Sequence, residues 1–165
     1  MVIGFKCFNK GLVTSYGDVL EVGKEYISNT DPKFGARGFH FCINIEDSFR
    51  YFDCFNNEVD VCIILASGKI DIYNDEYNGY YDMGCCEKIV ILEKLTREEV
   101  ISIALNLNEI RVKRFVSTFG LTKNEIELFK NKFFYSKFVL DAISYYQEED
   151  REVYKRTIDK KTYLW

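Results

Sequence analysis

The chain has 165 residues, 47% of them hydrophobic and 16% aromatic, enough for a packed core in one domain or in one domain with a helical appendage. Its 22 Lys+Arg against 26 Asp+Glu leave a net charge of −4. That balance argues against nucleic acid as a partner, because phosphate binding needs a concentrated basic face. The longest apolar run, VCIILA, falls far short of the roughly 20 residues of a membrane span.

The start, MVIGFKCFNKGL, has no basic region followed by an apolar run, so no secretory signal is expected. Within it GFKCFN reads as a short aromatic strand. VLEVGKEYI alternates and reads as a strand or a hairpin arm. GFHFCI is strand-like, with Phe39 and Phe41 on one face and His40 and Cys42 on the other. Asn44 with Asp47 then gives a helix start, with Ile45, Phe49 and Phe52 at helical spacing behind it. EVDVCIILASGKI is the strongest strand. It is apolar on both faces in its middle, as a central strand is. EKIVILEKL is a second such strand.

Between these two strands lies DIYNDEYNGYYDMGCC, rich in acids and tyrosines. Its spacing does not match a calcium loop, so no metal site is expected there. The acids read as a solvated loop. The tyrosines Tyr73, Tyr77, Tyr80 and Tyr81 are candidate interaction residues, because exposed tyrosines anchor interfaces.

From Thr96 onward the pattern turns helical. TREE and TKNE are capping boxes, with Thr96 and Glu99 in one and Thr122 and Glu125 in the other. Apolar faces follow at Val100, Ile103, Ala104 and Leu107, at Val112, Phe115, Val116 and Phe119, at Ile126, Phe129 and Phe133, and at Val139, Ala142, Ile143 and Tyr146. Gly120 reads as a helix stop. Arg111, Lys113 and Arg114 form a basic patch that reads as a solvated helix face rather than an anion site. The end, EEDREVYKRTIDKKTYLW, is charged with an apolar tip at Leu164 and Trp165.

Six cysteines, Cys7, Cys42, Cys54, Cys62, Cys85 and Cys86, stand without a CxxC pair and beside a single histidine. No zinc pattern results, and they read as reduced thiols of a cytosolic protein. No nucleophile elbow, P-loop or dinucleotide fingerprint is present.

Two resemblances add to this reading. GARGFHFCINIEDSFRYFD followed by VDVCIILASGKI resembles a segment of the ADP-ribosyltransferase fold, closest to the poly-ADP-ribose polymerase branch. Gly35, Gly38, Phe39, His40, Phe41 and Cys42 stand in the order of that family's glycine-aromatic strand. Tyr51 follows, and Glu87 in EKIVIL stands where the family's glutamate precedes a strand. The resemblance implies NAD as cofactor and His40, Tyr51 and Glu87 as catalytic candidates. The match departs at two points. The candidate first strand, GFKCFN, lacks the family's histidine, and His40 occupies the place of the tyrosine that stacks on nicotinamide.

The second resemblance covers most of the chain. GFKCFN, LEVGKEY, GFHFCINIEDSFRYFD and ASGKI resemble an uncharacterised domain of bacteriophage and large DNA-virus proteins. GKIDIYNDEYNGYYDMGCCEKIVILEKLTREEV and LTKNEIELFKNKF resemble segments of uncharacterised giant-virus proteins. It implies an accessory protein in the cytoplasm of an infected host cell, and no chemistry.

The expected fold is α+β. Residues 1–95 form a small, mostly antiparallel sheet, with the split sheet of the transferase fold as one form of it. Residues 96–165 form a helical appendage packed on that part. The first functional expectation is a non-enzymatic viral accessory protein without cofactor that binds a protein partner. The alternative is an NAD-binding, ADP-ribosyltransferase-like enzyme.

Overall fold

The computed structural model describes residues 1–52, 54–55, 58–74 and 82–149. Five strands run in chain order: β1 (Val2–Asn9), β2 (Glu25–Ile27), β3 (Phe39–Cys42), β4 (Val59–Asn74) and β5 (Asp82–Leu95). A helix α1 (Ile45–Ser48) and a 3-10 turn (Phe49–Tyr51) lie between β3 and β4. Four helices follow: α2 (Arg97–Leu105), α3 (Glu109–Thr118), α4 (Lys123–Lys132) and α5 (Lys137–Ile143). A π-helical turn (Ser144–Glu149) continues α5. The fold is α+β, and the pairings between strands are antiparallel.

The chain divides into two compact units. The first is Met1–Ser48 with Glu58–Thr96; the second is Phe49–Asn57 with Arg97–Trp165. The sequence suggests one cut after Leu95. The structure also gives Phe49–Asn57 to the helical unit, for a visible reason. The Phe49 ring meets Phe115 edge to face at 5.5 Å and Phe119 at 4.8 Å. Cys54 bridges to Phe119, and Gly120 N–H donates to the Cys54 carbonyl at 3.3 Å.

In the first unit the sheet order is β2-β5-β3-β1-β4, and β5 pairs again with β4. Four strands therefore close into a ring. β4 achieves this by its length. It lies against β1 from Ala66 to Val59 and against β5 from Val61 to Asn74. The seam between β1 and β3 is reduced to one pair, Phe5 with Cys42. Side chains alternate across each strand, so one set fills the ring. That interior holds Phe8, Leu20, Phe41, Cys62, Ile64, Ala66, Cys86, Ile89 and Ile91. Phe41 reaches across it between two glycines. A Cβ on Gly4 would lie 2.8 Å from the Phe41 ring, and one on Gly84 would lie 2.7 Å from it.

VLEVGKEYI does not form one strand. Only Glu25–Ile27 pairs continuously with β5, while Val19 and Val22 make isolated bridges to Val13 and Ile91. Gly23 has φ +82, a left-handed turn that breaks the alternation. The helix after Asn44 is also shorter than the spacing of Phe49 and Phe52 suggests, ending at Ser48.

The second unit is built from local signals. Asn108 caps α3 by accepting from Arg111 N–H. Thr122 and Glu125 form a complete capping box on α4. Ser136 caps α5. Phe115 stacks on Phe119 at 4.9 Å and on Phe129 at 5.8 Å, and Phe129 stacks on Phe133. The side chain of Gln147 ties the π-helical turn to this core. Its amide donates to the carbonyls of Val116 and Phe119, and its oxygen accepts from Leu121 N–H.

Candidate functional site

His40 sits on β3 opposite Cys85 of β5, and Glu87 lies two residues further along β5. Alternation therefore sends His40 and Cys85 to the outer face, away from Phe39, Phe41 and Cys86, whereas at Glu87 the alternation of β5 breaks, since Cys86 and Ile89 both face the interior. His40 and Glu87 are each held by a backbone amide. The Gly35 N–H donates to His40 Nε2 at 3.0 Å. The neutral ring thus carries its proton on Nδ1. Burial, and then the positive charge of Lys6, hold the imidazole below its ordinary value. Protonating Nε2 would break the bond to Gly35.

Glu87 is committed in the same way. Its Oε2 accepts from Lys69 N–H at 3.0 Å. This closes an irregularity of β4 between Ser67 and Ile70, where Gly68 has φ +73. A Cβ on Gly68 would lie 2.6 Å from that carboxylate oxygen. Glu87 therefore fits a turn that needs glycine and an acceptor.

Around His40 the rim is aromatic. The turn Lys33–Arg37 folds over the outer face. Its Phe34 N–H donates to Asp71 Oδ2 at 3.1 Å. The Phe34 ring lies parallel to Tyr73 at 4.7 Å and meets His40 edge to face at 5.9 Å. Tyr73 is 42% exposed. Three rings thus form one surface step at the root of the β4–β5 hairpin. Of the tyrosines named from the sequence, Tyr73 stands in this step, while Tyr77, Tyr80 and Tyr81 lie outside the described residues. Tyr51 belongs to the helical unit, in its 3-10 turn, and is 41% exposed.

Two residues escaped the sequence reading. Phe34 carries no sequence signal of its own, and only its contact with Tyr73 gives it a role. Lys6 lies on the ring's inner face, paired with Cys62 across β1 and β4. Its ammonium donates to the His40 carbonyl at 2.7 Å and sits 5.5 Å over the Phe8 ring. It bridges β1 and β3 where their pairing has thinned to one residue pair. Burial lowers its pKa. A lysine in a strand pattern gives no sign of this, since lysine alternation usually marks solvent.

The thiols do not supply a nucleophile here. All six are buried, and none forms a disulfide. Burial pushes Cys7 and Cys62 up to about 12 and Cys86 up to about 11, and raises Cys42 and Cys85 as well. Among the described residues no group of three or more His, Cys, Asp or Glu side chains could hold a metal ion. No helix among them is long and apolar enough to cross a membrane.

The class that emerges is a small α+β domain with a ring-closed antiparallel sheet and an aromatic rim. The chain belongs to the family described as Domain of unknown function (DUF7666), whose model matches residues 2–103. That span takes in the whole sheet and most of α2, and leaves α3, α4 and α5 outside it. No curated protein and no solved structure matches the chain.

Proposed function

We propose that this protein is a non-enzymatic interaction protein that docks a protein partner through the aromatic step of Phe34, His40 and Tyr73. One observation carries the reading. The polar candidates His40 and Glu87 each spend an acceptor on a backbone amide, while the rings beside them face outward. Stacked, partly exposed aromatics offer large contact area at small entropic cost. The host-virus part of the reading rests on the resemblance to viral proteins. Six buried thiols outside any disulfide suit the reducing cytoplasm of an infected cell.

The alternative, an NAD-binding transferase, draws on one feature: Glu87 stands on β5 two residues from Cys85, the residue paired with His40. Under that reading His40 would have to release the Gly35 N–H to offer Nε2, while Glu87 would bind through its second carboxylate oxygen.

The test is affinity capture from infected-cell extract with the wild type, Tyr73→Ala and Phe34→Ala, followed by reconstitution of each captured protein with the purified chain. A binary partner lost with either substitution is the expected result. Binary binding that survives both substitutions overturns the assignment of this surface.

A further inference from the structure

The helical unit carries an open pocket of about 270 Å³, lined by Lys113, Phe138, Asp141, Ala142, Tyr145 and Tyr146. Lys113 comes from α3, Phe138, Asp141 and Ala142 from α5, and the two tyrosines from the π-helical turn. We propose that this pocket binds a methylated or quaternary ammonium group. It lies in a different unit from the aromatic step and beyond the residues of the family match, and it rests on its own observations.

Three features point to a cation. The first is the arrangement of the rings. Tyr145 and Tyr146, both in the lining, meet edge to face at 4.8 Å with an interplanar angle of 88°, so their perpendicular rings do not make a slot for a flat ligand. Perpendicular ring faces can surround a compact cation with their negative quadrupoles. The second is Asp141, which adds a carboxylate to the lining. Its partner Lys137 is 88% exposed, so that pair is weak and exchangeable. The third is the resident ammonium. Lys113 Nζ stands 4.5 Å from the centre of the Phe138 ring. An aromatic wall of this pocket already holds an alkylammonium, supplied by the chain itself.

The geometry is also held in advance. A π-helical turn is an uncommon element that recurs at functional sites. Here it is fixed by the three hydrogen bonds of Gln147 to Val116, Phe119 and Leu121. The tyrosine walls therefore need little ordering when a ligand enters. Lys113 acts as an internal competitor. A methylated ammonium displaces it because methyl groups lower the cost of leaving water while the charge remains, and Lys113 on its flexible stem returns to solvent.

The full chain is titrated with tetramethylammonium chloride against sodium chloride at matched ionic strength, followed through tyrosine ring resonances in NMR. Choline and a trimethyl-lysine peptide then distinguish a small quaternary amine from a modified protein tail. The expected result is saturable shifts at Tyr145 and Tyr146. Binding should weaken roughly tenfold or more in Tyr145→Ala, the loss expected for a desolvated cation–π contact. Asp141→Asn, which keeps shape and fold, should weaken it as well, and Lys113→Met should strengthen it. The proposal is overturned if no shift saturates, or if binding is indifferent to both Tyr145→Ala and Asp141→Asn. It is equally overturned if Lys113→Met abolishes binding, because removing a competing ammonium cannot weaken a cation's binding.

Discussion

The two units solve the same problem by different means. The sheet unit is knit by residues far apart in sequence. β1 and β4 pair over eight residues, from Val2 with Ala66 to Asn9 with Val59, and a single ring, Phe41, is fitted between Gly4 and Gly84. The helical unit is assembled from neighbours, with a cap on three helices and phenylalanines in phase along α3 and α4. Long-range pairing concentrates the consequences of one change, whereas local capping spreads them.

The sharpest way to break the comparison is Phe41→Ala. It should cost about 3–5 kcal/mol, because the ring leaves a cavity that the facing glycines cannot fill. Chemical denaturation followed by hydrogen exchange should place the damage in β1, β3 and β5. Next comes Gln147→Ala, which leaves Leu121 N–H and the carbonyls of Val116 and Phe119 without the side chain that pairs them. A loss of about 2–3 kcal/mol is expected from these buried groups, seen as faster exchange at α3 and the π-helical turn. Thr122→Ala removes only a cap and should cost about 1 kcal/mol. If the cap costs more than the Phe41 ring, the contrast between concentrated and distributed stabilisation fails.

The smallest effect is a pH dependence. The folded His40 has its pKa below the ordinary value of 6.5, so the fold favours the neutral ring. This contribution is complete above the unfolded value and is lost as pH falls through the folded one. Stability should therefore decline as pH drops from 6.5 toward about 5, a window where no other side chain has its ordinary pKa, since the chain has one histidine. His40→Phe should flatten the profile there while keeping the ring contact with Phe34. An unchanged slope in that variant would remove His40 from the account.

The same contrast explains what was readable in the sequence. The capping box at Thr122 and Glu125 and the phase of Val112, Phe115 and Val116 depend on residues within a turn or two, and the sequence displays them. The long apolar runs of β4 and β5 announce strands for a similar reason. Ring closure does not show, because it depends on which edge of β4 meets β1. Lys6 is invisible for the same cause: its burial follows from that register and from the thinning of the β1–β3 seam. His40 could be recognised as a residue between two inward phenylalanines, yet its amide partner Gly35 is set by a turn. Phe34 becomes part of a surface only through Asp71 and Tyr73, which the fold brings to it.

The central claim is that His40 and Glu87 are architectural while the rings beside them bind. The measurement that tests it most directly is calorimetric titration of NAD into the wild type, His40→Ala and Glu87→Gln. The account predicts no saturable heat at millimolar NAD for any of the three. Saturable heat in the wild type that is lost in Glu87→Gln, with the fold intact by circular dichroism, would contradict it and return both residues to a nucleotide site.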